Sequence, residues 1–322
     1  MKGMTKYWWI VAISLVVLGA ILCVVGFAAA GFDFGGLETV KYETNEYVIE
    51  KDFENLFVCA QTADVTFRPS GDEICRVVCY EQTRLQHEVS VEEGTLTVKY
   101  KNTRKWYEYL TFSFRTPTVT IYLPEKEYNN LDVQVSTGDI MIGKEFDFSN
   151  VKVTGSTGDV SCYASVSESL DVKISTGDIL LEGATVENAK LSTSTGDIFM
   201  RSIHSLGEIS ISVSTGDLKM EDVWCGNLFS SGSTGSVNLT RTFVSGKIDL
   251  KRSTGNVKLD ACDASEISIR TTTGNVSGSL WTEKDFHASA TTGSVRVPDT
   301  RTGGRCEINT STGNIQIDLC DH

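Results

Sequence analysis

Along most of the chain apolar and polar residues alternate with a period of two, and a glycine interrupts the alternation at regular intervals. Leu131, Val133 and Val135 lead into Gly138, with Ile140 and Ile142 after it; Leu170, Val172 and Ile174 lead into Gly177, with Ile179 and Leu181 after it. A period of two predicts strands with one buried and one wet face. The interruption is a tetrad: Ser or Thr, then Thr, Gly, and Asp, Asn or Ser. It is followed by Ile, Val or Leu and recurs ten times. Its glycines are Gly138, Gly158, Gly177, Gly196, Gly216, Gly235, Gly255, Gly274, Gly293 and Gly313, always 19 or 20 residues apart. A tight turn between strands needs a residue that tolerates positive φ, which assigns these glycines a structural turn role.

Two architectures produce this pattern. In a β-solenoid each repeat is one coil, and equivalent residues stack in ladders about 4.8 Å apart. In an antiparallel array each tetrad closes a two-residue hairpin. The near-constant period favours the solenoid, because return loops in a hairpin array vary freely in length. The expected fold is therefore all-β: a solenoid of about ten 19–20-residue coils.

Two stretches before the repeats depart from the pattern. Trp8 to Ala30 carries no charge over 23 residues, and at about 1.5 Å per residue a helix of this length crosses a bilayer core. Lys2 and Lys6 precede it, while Asp33 and Glu38 follow; the positive-inside bias puts the N-terminus in the cytoplasm and the bulk of the chain outside. A cleaved signal peptide ending at Ala28-Ala29-Ala30 is the competing reading, and the length of the apolar run favours a retained single-pass anchor. Residues 32–130 hold eight of the ten Tyr and still alternate as strands. Within them Leu56, Val58, Ala60, Val65 and Phe67 match the repeat register, with Ala63 in the glycine slot, so this piece reads as a degenerate first copy. Added hairpins would make the region a β cap over the open solenoid end. The expected organisation is a cytoplasmic N-terminus (1–7), a transmembrane helix (8–30), an N-terminal β cap (32–130) and the repeat solenoid (131–322). The chain ends within a few residues of the last coil, which would leave that coil edged by polar residues or stacked on another chain.

The apolar anchor, the GFDF stretch after it, the TADVTF piece and the serial STGDI, STGDV and STGNI tetrads resemble the bacterial putative-adhesin family with β-strand repeats, a domain of unknown function. The resemblance spans essentially the whole chain and implies a surface-exposed, solenoid-like β protein of the cell envelope. Copies six to ten depart from it, with Ser236, Asn256, Asn275, Ser294 and Asn314 in the acidic slot.

Composition narrows the chemistry. Lys and Arg total 29 against 42 Asp and Glu, a net charge of −13, which excludes a nucleic-acid partner for want of a cationic footprint. The four His (His87, His204, His287 and His322) lie far apart, with no metal-ligand spacing among them. A column of Asp139, Asp159, Asp178, Asp197 and Asp217 is a weak Ca²⁺ candidate. One carboxylate per coil is thin for an ion that takes six to eight oxygens, so each Asp is expected to cap its own turn instead. Adjacent carboxylates about 5 Å apart would repel by roughly 0.8 kcal/mol in a water-like dielectric. The cysteines beyond the anchor mostly fall on apolar register positions and read as free thiols. The basic and aromatic run Lys101 to Tyr109 reads as a wet hairpin tip.

No nucleophile elbow, phosphate loop or metal motif appears, so neither an enzyme activity nor a cofactor is expected. The function expected is a membrane-anchored binding, adhesion or scaffold module at the bacterial cell envelope. Its partner would be a cell-wall glycan or an envelope protein. The alternative is a structural polymer, self-associating end to end through the C-terminal coil. A glycan-cleaving parallel β-helix enzyme is the remaining reading.

Overall fold

The computed structural model describes residues 2–29, 41–103 and 115–320. A helix runs from Lys2 to Ala29. Within it, Tyr7–Gly26 has a mean hydropathy of 2.8 and is long and apolar enough to cross a membrane. A signal sequence shares that signature. None of the helix side chains described is buried, so the folded body does not depend on the helix for packing.

The described strands join into one continuous sheet that winds as a solenoid. The tetrads are corners between parallel strands of successive coils, which excludes the hairpin array. Strand Glu127–Thr137 pairs in parallel with Asp147–Thr157, and that strand pairs with Ser165–Thr176. The register places Leu131, Val151, Leu170, Ala189, Ile209, Leu228, Ile248 and Ile267 in one inward ladder, each nearly inaccessible to solvent. The period-two alternation therefore becomes the core, which extends from Phe53 to Ile317 as one cluster. Cys162 and Cys306 lie on its inward face as small apolar groups. All nine cysteines are unpaired.

Order in space departs from order in sequence at both ends. The coil turning at Ala63 stacks on the Gly138 coil, since Asn55–Thr62 pairs with Glu127–Thr137. Its other side is covered by Thr95–Asn102, and Asp64–Pro69 is likewise flanked by Thr118–Leu123. The degenerate first copy is thus second in the stack. The hairpin of Cys75–Gln82 and Leu85–Glu92 closes this end in antiparallel pairing, with Tyr42–Ile49 outside it. Between Thr95–Asn102 and Thr118–Leu123, residues 104–114 lie outside the described residues, and with them most of the run from Lys101 to Tyr109.

At the far end, Gly304–Thr312 inserts between Val257–Thr273 and Lys284–Thr292. Ile315–Leu319 likewise inserts between Val276–Leu280 and Val295–Arg296. The C-terminal coil is therefore internal, and the coil turning at Gly293 is outermost. This corrects the expectation that an end-to-end contact would use the C-terminal coil. The crossover is possible because Gly303 and Gly304 thread between two backbones. A Cβ on Gly304 would lie 1.8 Å from the Ser265 carbonyl oxygen, and one on Gly303 would lie 2.1 Å from that of Glu283.

Candidate functional site

Three surface features run along the solenoid, each built by one register position repeated coil after coil. The first is the turn column. Gly177 has φ +138° and Gly196 φ +141°, and a Cβ on Gly196 would sit 1.9 Å from the Gly177 carbonyl oxygen. The slot thus excludes any side chain, on steric grounds as well as by its backbone angle. The acidic side chains beside it do not cap their own turns. Asp139 Oδ1 accepts from the Asp159 backbone N–H (2.9 Å), and Asp159 from Asp178 (2.8 Å). Asp178 accepts from Asp197, and Asp197 from Asp217 (both 2.7 Å). Asp217 accepts from Ser236 (2.7 Å). Asp64 begins the series by accepting from Asp139.

Each carboxylate thus ties one coil to the next. Asn256 and Asn275 accept in the same way in the second half. Asp and Asn make the same bond, so it depends on an acceptor oxygen rather than a charge, which accounts for the Asn copies. Among the described residues, this column does not bring three carboxylates within mutual ligand reach.

The second feature is a charged ladder, Glu182–Arg201–Glu221–Arg241, with contacts of 3.4, 3.4 and 3.0 Å. Arg241 also grips Asp222 at 2.6 Å, and the hydrogen bond from Arg241 holds the Asp222 carboxyl below its usual range. These groups are largely exposed, so solvent screens their attraction and each pair contributes little to stability.

The third feature is an aromatic groove of about 550 Å³. It originates at a second corner, where Ser202, Asp222, Arg241 and Ala261 take positive φ between 45° and 55°. One left-handed residue shifts the strand phase by one. After Asp222, Val223 and Cys225 point inward and Trp224 points out. Register then stacks His204, Trp224, Phe243 and Asp263 in successive coils. The Trp224 and Phe243 rings lie 6.1 Å apart and nearly parallel, and Trp281 meets Phe243 edge-on at 6.2 Å. Both tryptophans are 44% exposed.

Polar groups close one end of the groove. Asp263 accepts from Thr282 (3.0 Å) and pairs with the buried Lys284 (2.6 Å). Cys225 lines the groove, but burial pushes its thiol up to about 12, too high to supply a thiolate nucleophile at neutral pH. The arrangement offers stacking surfaces and hydrogen-bonding groups in a row. Sequence reading missed it because Trp224, Phe243 and Trp281 fall outside the tetrad register; the 19-residue step from Trp224 to Phe243 was the available signal.

Fold and groove define a β-solenoid with a linear, aromatic-lined surface. Residues 53–206 and 203–322 match the Toastrack DUF4097 family, and the chain belongs to that family, in agreement with the resemblance carried by its tetrads. No curated protein matches the chain. Among solved structures, it is similar to a putative lipid binding protein from Parabacteroides distasonis at 17% identity and a TM-score of 0.49, covering 87% of this chain and 98% of that one. A putative adhesin from the same species gives 10% identity and a TM-score of 0.48, with the same coverage. A putative adhesin from Parabacteroides merdae gives 13% and 0.46, again over 87% and 98%.

Proposed function

We propose that this chain is a binding module of the bacterial cell envelope, held by its N-terminal helix with the solenoid outside, and that the groove lined by Trp224 and Phe243, with Trp281 edge-on to Phe243 beside it, takes a cell-wall glycan. The observation that carries the reading is the exposed aromatic row beside His204, Asp263 and Thr282. Ring faces stack on the apolar faces of sugar rings, while a few placed polar groups orient the hydroxyls. A groove that extends over several coils suits a linear polymer with its own repeat. Lys2 and Lys6 before the apolar segment support an N-terminus in the cytoplasm. The shallow groove lacks a paired set of catalytic groups among the described residues, which favours binding over cleavage.

The test is titration of the protein with isolated cell-wall polysaccharide and, in parallel, with phospholipid vesicles. Binding of the polysaccharide that falls in Trp224→Ala/Trp281→Ala supports the reading. Binding of vesicles alone rejects it.

End-to-end self-association has its own supporting observation, relocated to the coil of Gly293. Strand Lys284–Thr292 pairs on one side only among the described residues, and Phe286, Ala288 and Ala290 at this end are only partly buried. An unpaired edge of this kind templates further pairing. Sedimentation at high protein concentration tests it: a monomer throughout removes the polymer reading.

A further inference from the structure

The closing hairpin contains a polar cluster in an otherwise apolar interior. Cys75, Val77, Cys79 and Glu81 all point inward from the strand Cys75–Gln82. From the return strand Leu85–Glu92, His87 points inward to meet them. Cys79 and Glu81 are fully buried, and His87 is 4% exposed. Glu81 Oε2 accepts from the His87 ring at Nδ1 (2.6 Å) and from the His87 backbone N–H (2.7 Å). Its Oε1 accepts from the Asn45 side chain (2.8 Å), and the Tyr47 hydroxyl donates to the His87 carbonyl (2.9 Å). His87 Nε2 has no hydrogen-bond partner among the described residues. Sulfur, carboxylate oxygen and imidazole nitrogen lie within 4.8 Å of one another.

As a purely structural device this cluster is expensive. A fully buried carboxylate gives up its hydration, and the His87 Nε2 is left without a partner to replace the water it loses. Apolar side chains at these positions would close the cap without either cost. What the cluster offers instead is one soft thiol, which a bound metal would deprotonate, with one imidazole and one carboxylate converging from two strands, on ligands already held by Asn45 and Tyr47.

The geometry points to a transition-metal site at Cys79, Glu81 and His87, taking a divalent ion of the zinc class. The donor set selects the ion. Thiolate and imidazole favour zinc, whereas Ca²⁺ and Mg²⁺ need several oxygens and find one carboxylate here. On binding, the Cys79 thiol proton passes to solvent, so affinity rises with pH. Asn45 on the outermost strand and Tyr47 beside it orient the ligands, so the ion would join Tyr42–Ile49 and both strands of the hairpin into one unit. Sequence spacing concealed the site, because its ligands are two residues apart on one strand and six apart across a tight turn.

The test uses the full chain in detergent, chelator-stripped and kept reduced. Added Zn²⁺ should bind at one equivalent per chain and raise the melting temperature, while Ca²⁺ should do neither. Co²⁺ should produce a thiolate charge-transfer band that is lost in Cys79→Ser and retained in Cys75→Ser. Asn45→Ala should weaken zinc binding by about tenfold or more, as expected for a residue that orients a ligand. Cys75→Ser controls for folding, since it changes a buried thiol on the same strand outside the ligand set. No stoichiometric zinc, or a cobalt band that survives Cys79→Ser, would overturn the assignment.

Discussion

The turn column and the aromatic groove both run along the solenoid, and both arise from register, yet they use it differently. In the turn column every coil repeats the Thr-Gly step, and wherever Asp or Asn follows it the exposed acceptor is consumed, holding the neighbouring coil's N–H. In the groove consecutive coils contribute different residues, and the ring faces are left open. Repetition that is satisfied internally builds the rod. Variation within the same register leaves surface free for a ligand. The more conspicuous stripe in the sequence is thus the structural one.

Substitution at the column is expected to have the largest effect. Gly196→Val would drive a side chain into the Gly177 carbonyl and force a β-branched residue to φ +141°. A loss of at least about 3 kcal/mol is expected, read by denaturant melting, with loss of cooperative folding as the extreme outcome. An unchanged midpoint would remove the close-packing account of the turns. A smaller effect separates acceptor from charge within the column. Asp178→Ala should lower stability by about 1 kcal/mol by orphaning the Asp197 N–H, whereas Asp178→Asn should leave it nearly unchanged. Equal losses from both would mean that the charge itself matters.

The smallest effect is electrostatic. Because Arg241 holds the Asp222 carboxyl below its usual range, the pair stabilises the fold above the ordinary carboxylate pKa. That contribution fades as the pH falls through the lowered one. A shallow acid-side decline in melting temperature should therefore be less steep in Arg241→Gln. The same slope in both proteins would show that the pair contributes nothing measurable.

These contrasts also explain what could be read from the chain. Period-two alternation and the 19–20-residue spacing gave the solenoid and its turn glycines, because a stacked coil tolerates almost no change in length. The order of coils at the two ends was hidden, since every coil presents the same register to any neighbour. Only Gly303-Gly304 hinted at the crossover. The groove was hidden by the left-handed corner at Asp222, which moves the alternation by one and turns Trp224 outward between two buried neighbours. The Asp partners were assigned to their own turns because a local Asx bond and a bond to the next coil look alike in sequence.

The claim that the groove, and not the turn column, is the contact surface is tested most directly by one parallel titration with isolated cell-wall polysaccharide. The three proteins compared are the parent chain, Trp224→Ala/Trp281→Ala, and the variant with Asn at all five acidic turns, Asp139, Asp159, Asp178, Asp197 and Asp217. The account predicts a loss of about thirtyfold in affinity for the tryptophan variant, as for a central aromatic contact, with its melting temperature preserved and binding by the five-Asn variant unchanged. Full binding by the tryptophan variant together with loss in the five-Asn variant would contradict it.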